Sequence, residues 1–376
     1  MAGRSTERIP VVFFFGGVSS EHEISCLTAA GVLQALDVTR FEPYGVGIDK
    51  KGNWHRYHIA DMRALRSVAG QFPIVDVSKP TALLLREGDT TYLATLTDNV
   101  LTDKVAVRVA FPLLHGPFGE DGTIQGLFEM QGLRYVGAGV AASAIGMDKH
   151  FMKVACQAGG LNVAPYVTFR KQEWDADSEH WIAEMETLGY PLYVKPARGG
   201  SSAGISRVAA RSELSAAVKT AAEYDPKLVA EQAIIEAREI ECSVMGPKPG
   251  GNGAARTARP GEIIMHTKNG FYDYEAKYIS NSQAELRIPA DLPATVADAV
   301  RAACVRAFTA VGAEGLSRVD IFVTPDGQVI LNEINTMPGF TEISMFPQLW
   351  VHSGIEYTAL ISDLIDQALA RPIGLR

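Results

Sequence analysis

Val11-Val12-Phe13-Phe14-Phe15-Gly16-Gly17 is followed by Ile24, Leu27, Thr28, Gly31, Val32 and Ala35 at helical spacing. A short β-branched and aromatic run reads as a strand, the glycines stop it, and the change of period marks a helix. The pattern returns further on. Val105 to Leu114 reads as a strand, His115-Gly116-Pro117-Phe118-Gly119-Glu120-Asp121-Gly122 as a loop, and Ile124, Leu127 and Phe128 as one face of a helix. Repeated βα units predict an α/β fold whose N-terminal domain is a doubly wound parallel sheet, with ligands beyond the C-terminal ends of its strands. Residues 50–100 hold short apolar runs and are expected to add strands and loops to that domain.

At 376 residues the chain exceeds the ~250–300 at which one hydrophobic core stops growing, so several domains are expected. We place them at residues 1–137, 138–234 and 235–376. The Gly/Pro-rich stretch from Gly246 to Gly261 reads as a surface loop, and Tyr357 to Leu369 as a last amphipathic helix. A net charge of −8 argues against a surface built to hold nucleic acid. Cys26, Cys156, Cys242 and Cys304 are too scattered for a zinc site or a disulfide framework and read as reduced core thiols. No run approaches the ~18 apolar residues of a membrane span and no signal peptide is legible, so the expected location is the cytoplasm.

Chemistry concentrates in the C-terminal third. Leu316 to Val323 and Val329 to Ile334 flank Pro325-Asp326-Gly327, and an Asp-Gly centre predicts a two-residue hairpin. Counted outward from Asp326 and Gly327, Asp320 falls opposite Glu333 and Arg318 opposite Asn335, all four on one face. Like charges directly opposite destabilise a hairpin, so the pair makes sense around a hard cation, Mg²⁺ best, with Asn335 as a further oxygen ligand. Neutralising either carboxylate should then stop turnover and leave the fold intact or firmer. The plainer alternative is a solvated face with scattered charge. A second run, Lys195-Pro196-Ala197-Arg198-Gly199-Gly200-Ser201-Ser202-Ala203-Gly204, gathers small residues after a strand, where backbone N–H groups can approach phosphate beside the Lys195 charge. It is no Walker A loop, because the lysine precedes the glycines; a ligand-free glycine-rich hairpin is its plain alternative.

Gly16-Gly17-Val18-Ser19-Ser20-Glu21-His22-Glu23-Ile24-Ser25, the His115 to Gly122 loop, Tyr272-Asp273-Tyr274-Glu275-Ala276-Lys277-Tyr278 and Asn332-Glu333-Ile334-Asn335-Thr336-Met337-Pro338-Gly339 resemble the signature blocks of D-alanine:D-alanine ligases, members of the ATP-grasp superfamily. The resemblance spans nearly the whole chain and implies a three-domain ATP-grasp fold. It also implies a reaction. ATP phosphorylates one D-alanine, the amine of a second attacks the acyl phosphate, and D-alanyl-D-alanine, ADP and phosphate result, for peptidoglycan precursors.

The same resemblance implies roles. Lys149, Lys195 and Lys277 would hold the ATP phosphates, with Ser201 and Ser202 in the glycine-rich loop; Glu231 and the backbone near Ile234 would read adenine, and Glu239 the ribose. Asp320, Glu333 and Asn335 would carry two Mg²⁺, with Mn²⁺ as a substitute. Glu21 would pair with the first ammonium, and Arg318 and the Gly339 N–H would stabilise the oxyanion. His115 would lie near the second D-alanine, whose carboxylate Ser344 and the Met345 backbone would bind. Ser201 and Tyr278 would join Glu21 in latching a loop over the site, and the enzyme would be a homodimer. The rivals are relatives that use D-serine or D-lactate, another ATP-grasp carboxylate–amine ligase, or a non-catalytic nucleotide-binding protein.

Overall fold

The structure, a computed structural model, describes residues 7–67, 71–200, 202–250, 253–265 and 284–374. Ser201, Lys277 and Tyr278, with the rest of the 272–278 block, lie outside the described residues. Three sheets organise what is described.

The first contains β1 (Ile9–Gly16), β2 (Phe41–Ile48), β3 (Trp54–Tyr57), β4 (Thr81–Glu87), β5 (Thr90–Thr97), β6 (Val100–Val107), β7 (Val109–Pro112) and β8 (Arg134–Tyr135), in the order β6-β5-β4-β3-β2-β1-β7-β8. Helix α1 (His22–Ala35) joins β1 to β2, α2 (Ile59–Arg63) follows β3, and α3 (Thr123–Gln131) joins β7 to β8. The doubly wound parallel part is β2-β1-β7-β8. Residues 54–107 extend it with antiparallel strands. The strand expected from Val105 to Leu114 divides at Arg108, whose N–H donates to Pro10 O at 3.0 Å. Its first part pairs with β5 and its second with β1, so the sheet curls back on itself.

Alternation along β1 explains its double burial. Val11, Phe13 and Phe15 enter one core with α1 and the C-terminal helices; Val12 and Phe14 enter another with Ile124 and Phe128 of α3.

The second sheet contains β9 (Tyr166–Arg170), β10 (Leu192–Pro196), β11 (Ser206–Val208) and β12 (Lys227–Gln232), in the order β11-β10-β12-β9. Helices α6 (Lys171–Ala176), α7 (Ser178–Glu186) and α8 (Leu214–Ala222) belong to it, and residues of α6, α7 and α8 share its core. Two helices that precede it in the chain, α4 (Val140–Met147) and α5 (Lys149–Ala158), pack elsewhere: Ala142, Met152 and Cys156 share a core with the third sheet.

That third sheet runs β16-β15-β13-β17-β18, with β14 beside β13: β13 (Arg238–Met245), β14 (Arg256–Thr257), β15 (Gly261–Met265), β16 (Ala284–Arg287), β17 (Leu316–Val323) and β18 (Val329–Asn335). Helix α9 (Ala294–Ala310) covers it, while α10 (Met345–His352) and α11 (Tyr357–Ala370) reach back to the first sheet. The expected surface loop from Gly246 to Gly261 is only partly one. Arg256 and Thr257 rejoin the sheet opposite Met245 and Val244, and Ala258 is buried. All four cysteines are buried thiols.

Candidate active site

The parallel sheet reverses its winding between β1 and β7, where an α/β sheet leaves a crevice beyond its strand ends. Gly16 takes φ +86°, and a β-carbon there would stand 2.3 Å from Ile48 O, so only glycine fits. Ser25 of α1 accepts the Gly16 N–H at 2.8 Å and donates to Leu113 O, tying the two strand ends together. His22 closes the turn, with Nδ1 2.6 Å from Gly17 O and Nε2 accepting the Val75 N–H at 3.1 Å. The turn delivers Glu21 to the crevice. One of its carboxylate oxygens lies 3.6 Å from where a β-carbon would sit on Gly116, and equally on Gly200 of the second sheet's loop.

Across the crevice His115 is 4% exposed, and its Nδ1 is 3.1 Å from Met337 O. A carbonyl only accepts, so Nδ1 carries a hydrogen, and in the neutral ring Nε2 is the nitrogen with the lone pair. That Nε2 is buried and has no hydrogen-bond partner among the described residues. Glu120 holds the other backbone group of the same residue. It accepts Met337 N–H at 3.1 Å and Gly116 N–H at 2.8 Å. Burial, then the charge of Glu21, pushes its carboxyl up to about 8.

A cleft of about 300 Å³ separates the second and third sheets and is lined by Lys195, Ser202, Glu231 and Ile234 from the second sheet and its loops, by Lys149 at the start of α5, and by Glu239, Asp320 and Glu333 of the third sheet. Lys149 Nζ donates to Gly199 O at 2.8 Å, holding the glycine-rich loop. Burial lowers its pKa, with Glu333 opposing. Ser202 takes φ +58°, a conformation that side-chain-bearing residues rarely adopt and that clusters at ligand clamps. Glu231 holds two lysines at once: one oxygen bonds Lys195 Nζ and the other lies 3.0 Å from Lys153 Nζ. Burial alone would raise its carboxyl, but Lys195 and Lys153 outweigh it and hold it down to about 2. Its expected adenine contact must therefore share a carboxylate already engaged on both oxygens.

The hairpin pairs as counted at its functional end, Asp320 with Glu333 and Arg318 with Asn335. Its turn does not. Thr324 N–H donates to Gln328 O at 3.1 Å and Gly327 takes φ +83°, which makes a three-residue loop, and the register slips between Asp320 and Ile321. Asn332 is the extra residue on β18, and this bulge restores the alignment that a two-residue turn would have produced.

The acid face also has a cation of its own. Arg318 donates two hydrogen bonds of 2.7 Å to Asp320 and lies 3.0 Å from Glu241, while Asn335 Nδ2 donates to Asp320 at 3.1 Å. The expectation that the fold would stay intact or firmer when Asp320 is neutralised took its charge as merely opposed by Glu333, whereas the structure matches it with Arg318, which argues against any firming. Two carboxylates and a carboxamide on one face suit a hard divalent cation. No cluster of three or more His, Cys, Asp or Glu able to hold a metal occurs among the described residues, so nucleotide oxygens or waters would have to complete the coordination of a Mg²⁺ there.

Beyond β18, Gly339 precedes buried Phe340. Ser344 Oγ exchanges hydrogen bonds with Thr341, at 3.1 Å from its N and 2.6 Å from its Oγ1, just before α10. The Met345 side chain is buried in the core, which leaves its backbone at the helix start for a ligand.

Three charged residues of the site were not singled out from the sequence. Glu120 sits inside the quoted His115 loop, Lys153 lies four residues after Lys149 on α5, and Glu241 stands opposite Asp320 in the β13–β17 register. Helical and strand spacing could have pointed to the last two.

A family model described as D-ala D-ala ligase N-terminus matches residues 10–138, and one described as D-ala D-ala ligase C-terminus matches residues 155–366. The D-alanine–D-alanine ligase of Arthrobacter sp. (strain FB24) is 50% identical over 376 residues, covering 100% of this chain and 97% of its own. That of Mycobacterium ulcerans (strain Agy99) is 46% identical over 383 residues, covering 100% and 99%. The solved D-alanine-D-alanine ligase from Coxiella burnetii is similar with a TM-score of 0.80 at 31% identity, over 96% of this chain and 94% of that one. The VanG D-Ala:D-Ser ligase from Enterococcus faecalis is similar with a TM-score of 0.80 at 30% identity, over 96% and 100%. Matched in both halves and across its whole length, the chain belongs to the D-alanine–D-alanine ligase family.

Proposed function

We propose that this chain joins two D-alanine molecules at the expense of ATP, through a D-alanyl phosphate, and so supplies D-alanyl-D-alanine for cell-wall precursors. One observation carries the reading. An acid, an unpartnered imidazole nitrogen and a lysine-lined cleft converge where the three sheets meet. Glu21 holds the first ammonium, which orients that substrate's carboxylate toward the cleft. Lys149 and Lys195 take the nucleotide phosphates, with Ser202 in the glycine-rich loop; Ile234, Glu231 and Glu239 take the nucleoside. Asp320, Glu333 and Asn335 would hold two Mg²⁺, which neutralise charge on the phosphoryl group when bound. Arg318 and the Gly339 N–H face the oxyanion that forms when the second amine attacks. The His115 Nε2 lone pair accepts a hydrogen from that amine, and Ser344 with the Met345 N–H holds its carboxylate.

We assign Ser201, Lys277 and Tyr278 their family roles on sequence alone, and the chain is divided at residues 137 and 234. The homodimer is carried forward from the family resemblance and the cytoplasmic location from the sequence reading. The test is incubation with ATP, Mg²⁺ and separate D- and L-amino acids, with products identified by mass. ADP release that needs D-alanine and yields its dipeptide supports the proposal. Preferential D-alanyl-D-serine formation would move the chain to the specificity named for VanG, and no ligation with any amino acid would end the reading.

A further inference from the structure

Lys153 is the most deeply buried lysine among the described residues, at 1% exposure, and no role is yet assigned to it. It stands one helical turn beyond Lys149 on α5, so the two ammonium groups leave the same face of the helix. Lys149 lines the cleft; Lys153 lies behind it. There it meets Glu231, 4% exposed, at 3.0 Å, and the Tyr166 ring, 5.5 Å from Nζ to centroid. The other oxygen of Glu231 bonds Lys195, whose side chain does reach the cleft.

One buried carboxylate thus serves two buried ammonium groups. Were Lys153 absent, Glu231 and Lys195 would form a neutral pair, and an approaching phosphate would meet a cation already cancelled by its partner. With Lys153 in place the trio carries one net positive charge. Glu231 then orients Lys195 without neutralising it, in a region of low dielectric where a single charge has a long reach.

We propose that Lys153 is a positioning residue for the nucleotide: by occupying one oxygen of Glu231 from behind the cleft, it lets Lys195 meet the phosphates as an uncancelled cation. This rests on the reading that the cleft takes ATP. The experiment uses the full chain and two competitors of ATP, inorganic tripolyphosphate, which carries only the charge, and adenosine, which carries none. Lys153→Met should weaken tripolyphosphate about tenfold, the order expected for one charge several ångströms away, and raise the KM for ATP in step. Adenosine inhibition and the KM for D-alanine should stay within about twofold. Adding Glu231→Gln to Lys153→Met restores the net charge and should recover most of the tripolyphosphate affinity.

Equal losses for both competitors, unchanged tripolyphosphate binding, or a double variant no better than the single would overturn the proposal. If Lys153→Met does not fold, Glu231→Gln alone decides it. That variant must bind tripolyphosphate at least as tightly as wild type, and weaker binding refutes the charge argument. Wild-type enzyme on which tripolyphosphate does not compete with ATP would remove the cleft reading itself, which the ligation assay detects separately.

Discussion

Asp320→Asn separates the pairing with Arg318 that the structure shows from the metal ligation proposed for the same carboxylate. Both oxygens accept from Arg318 at 2.7 Å, and Asn335 donates to one of them at 3.1 Å. The amide has the same shape, but in either orientation its nitrogen faces an N–H of the Arg318 guanidinium, so one charge-assisted hydrogen bond becomes a donor–donor clash. Losing such a bond costs about 1.5–3 kcal/mol. Breaking a buried pair outright costs about 3–5 kcal/mol, but Glu241, 3.0 Å from Arg318, keeps the guanidinium partly compensated. We therefore expect about 2 kcal/mol of destabilisation, or a fall of roughly 4–8 °C in the Tm of the domain that contains it. Glu333→Gln leaves the Arg318–Asp320 pair intact and should change stability by less than about 1 kcal/mol. Both variants should lose turnover by orders of magnitude at saturating Mg²⁺. Thermal unfolding without ligand, paired with ADP release, reads the two effects independently. An Asp320→Asn protein as stable as wild type would show that the Arg318 pair contributes nothing, and near-normal turnover in either variant would remove the metal-face reading.

Stability should also depend on pH through Glu120, whose folded carboxyl is raised to about 8 from the ordinary 4.5. Between those values the folded state holds a proton that the unfolded state has lost, so this contribution is full below the unfolded value and disappears as pH rises through about 8. Denaturant titrations at pH 5.5 and 8.5 should show a smaller decline in Glu120→Gln than in wild type, and equal declines would contradict the assignment. His115→Asn retains a donor for Met337 O and loses the Nε2 lone pair, so the KM for the second D-alanine should rise about tenfold or more, the worth of one hydrogen bond to a charged group, while ATP binding stays constant. Wild-type kinetics at pH 7.5 would show that Nε2 meets no substrate. Gly16→Ala forces a β-carbon to 2.3 Å from Ile48 O at φ +86° and should cost more than about 2 kcal/mol, read as a lowered midpoint of unfolding.

The βα units were legible because strands buried on both faces leave continuous apolar runs, and glycines at positive φ end them. The acid face was legible for a less direct reason. A three-residue loop and a bulge at Asn332 are two departures from the simple hairpin, and they cancel, so pairing counted from the turn is right at Asp320 and wrong near Val323. Residues 54–107 resisted reading because β6 carries exposed Val100 and Leu101 at the sheet edge, which blurs the alternation. Glu120 was hidden by its company, since an acid within Gly-Glu-Asp-Gly reads as a turn former, whereas its carboxylate reaches a peptide 217 residues away. Spacing from Lys149 marked Lys153 as a neighbour on one helix face, but its partner Glu231, like the Arg318 beside Glu241, lies on another element, and periodicity within one element carries no record of such partners.

The three sheets are not joined alike, and the difference bears on how the site can move. The first and third share apolar cores, in which Phe13 and Phe111 pack with Phe340, Phe346 and Leu360. Loops of the first sheet also hold both backbone groups of one residue, Glu120 the Met337 N–H and His115 the Met337 carbonyl. Asn335 lies two residues before Met337 and Gly339 two after it, so the acid face and Gly339 are held to the crevice by a single anchored segment. The second sheet has a core of its own, and meets the rest through polar contacts: Lys227 with Asp148 at 2.8 Å, Lys149 with Gly199 at 2.8 Å, and the Glu231 trio. Sliding one apolar core past another costs burial over its whole area, whereas polar contacts at a cleft can exchange with water or phosphate at far smaller cost. Nucleotide binding is therefore expected to displace the second sheet and its glycine-rich loop rather than the first or third; hydrogen exchange with and without ATP should change at residues 192–208, and a change confined to the first and third sheets would refute it.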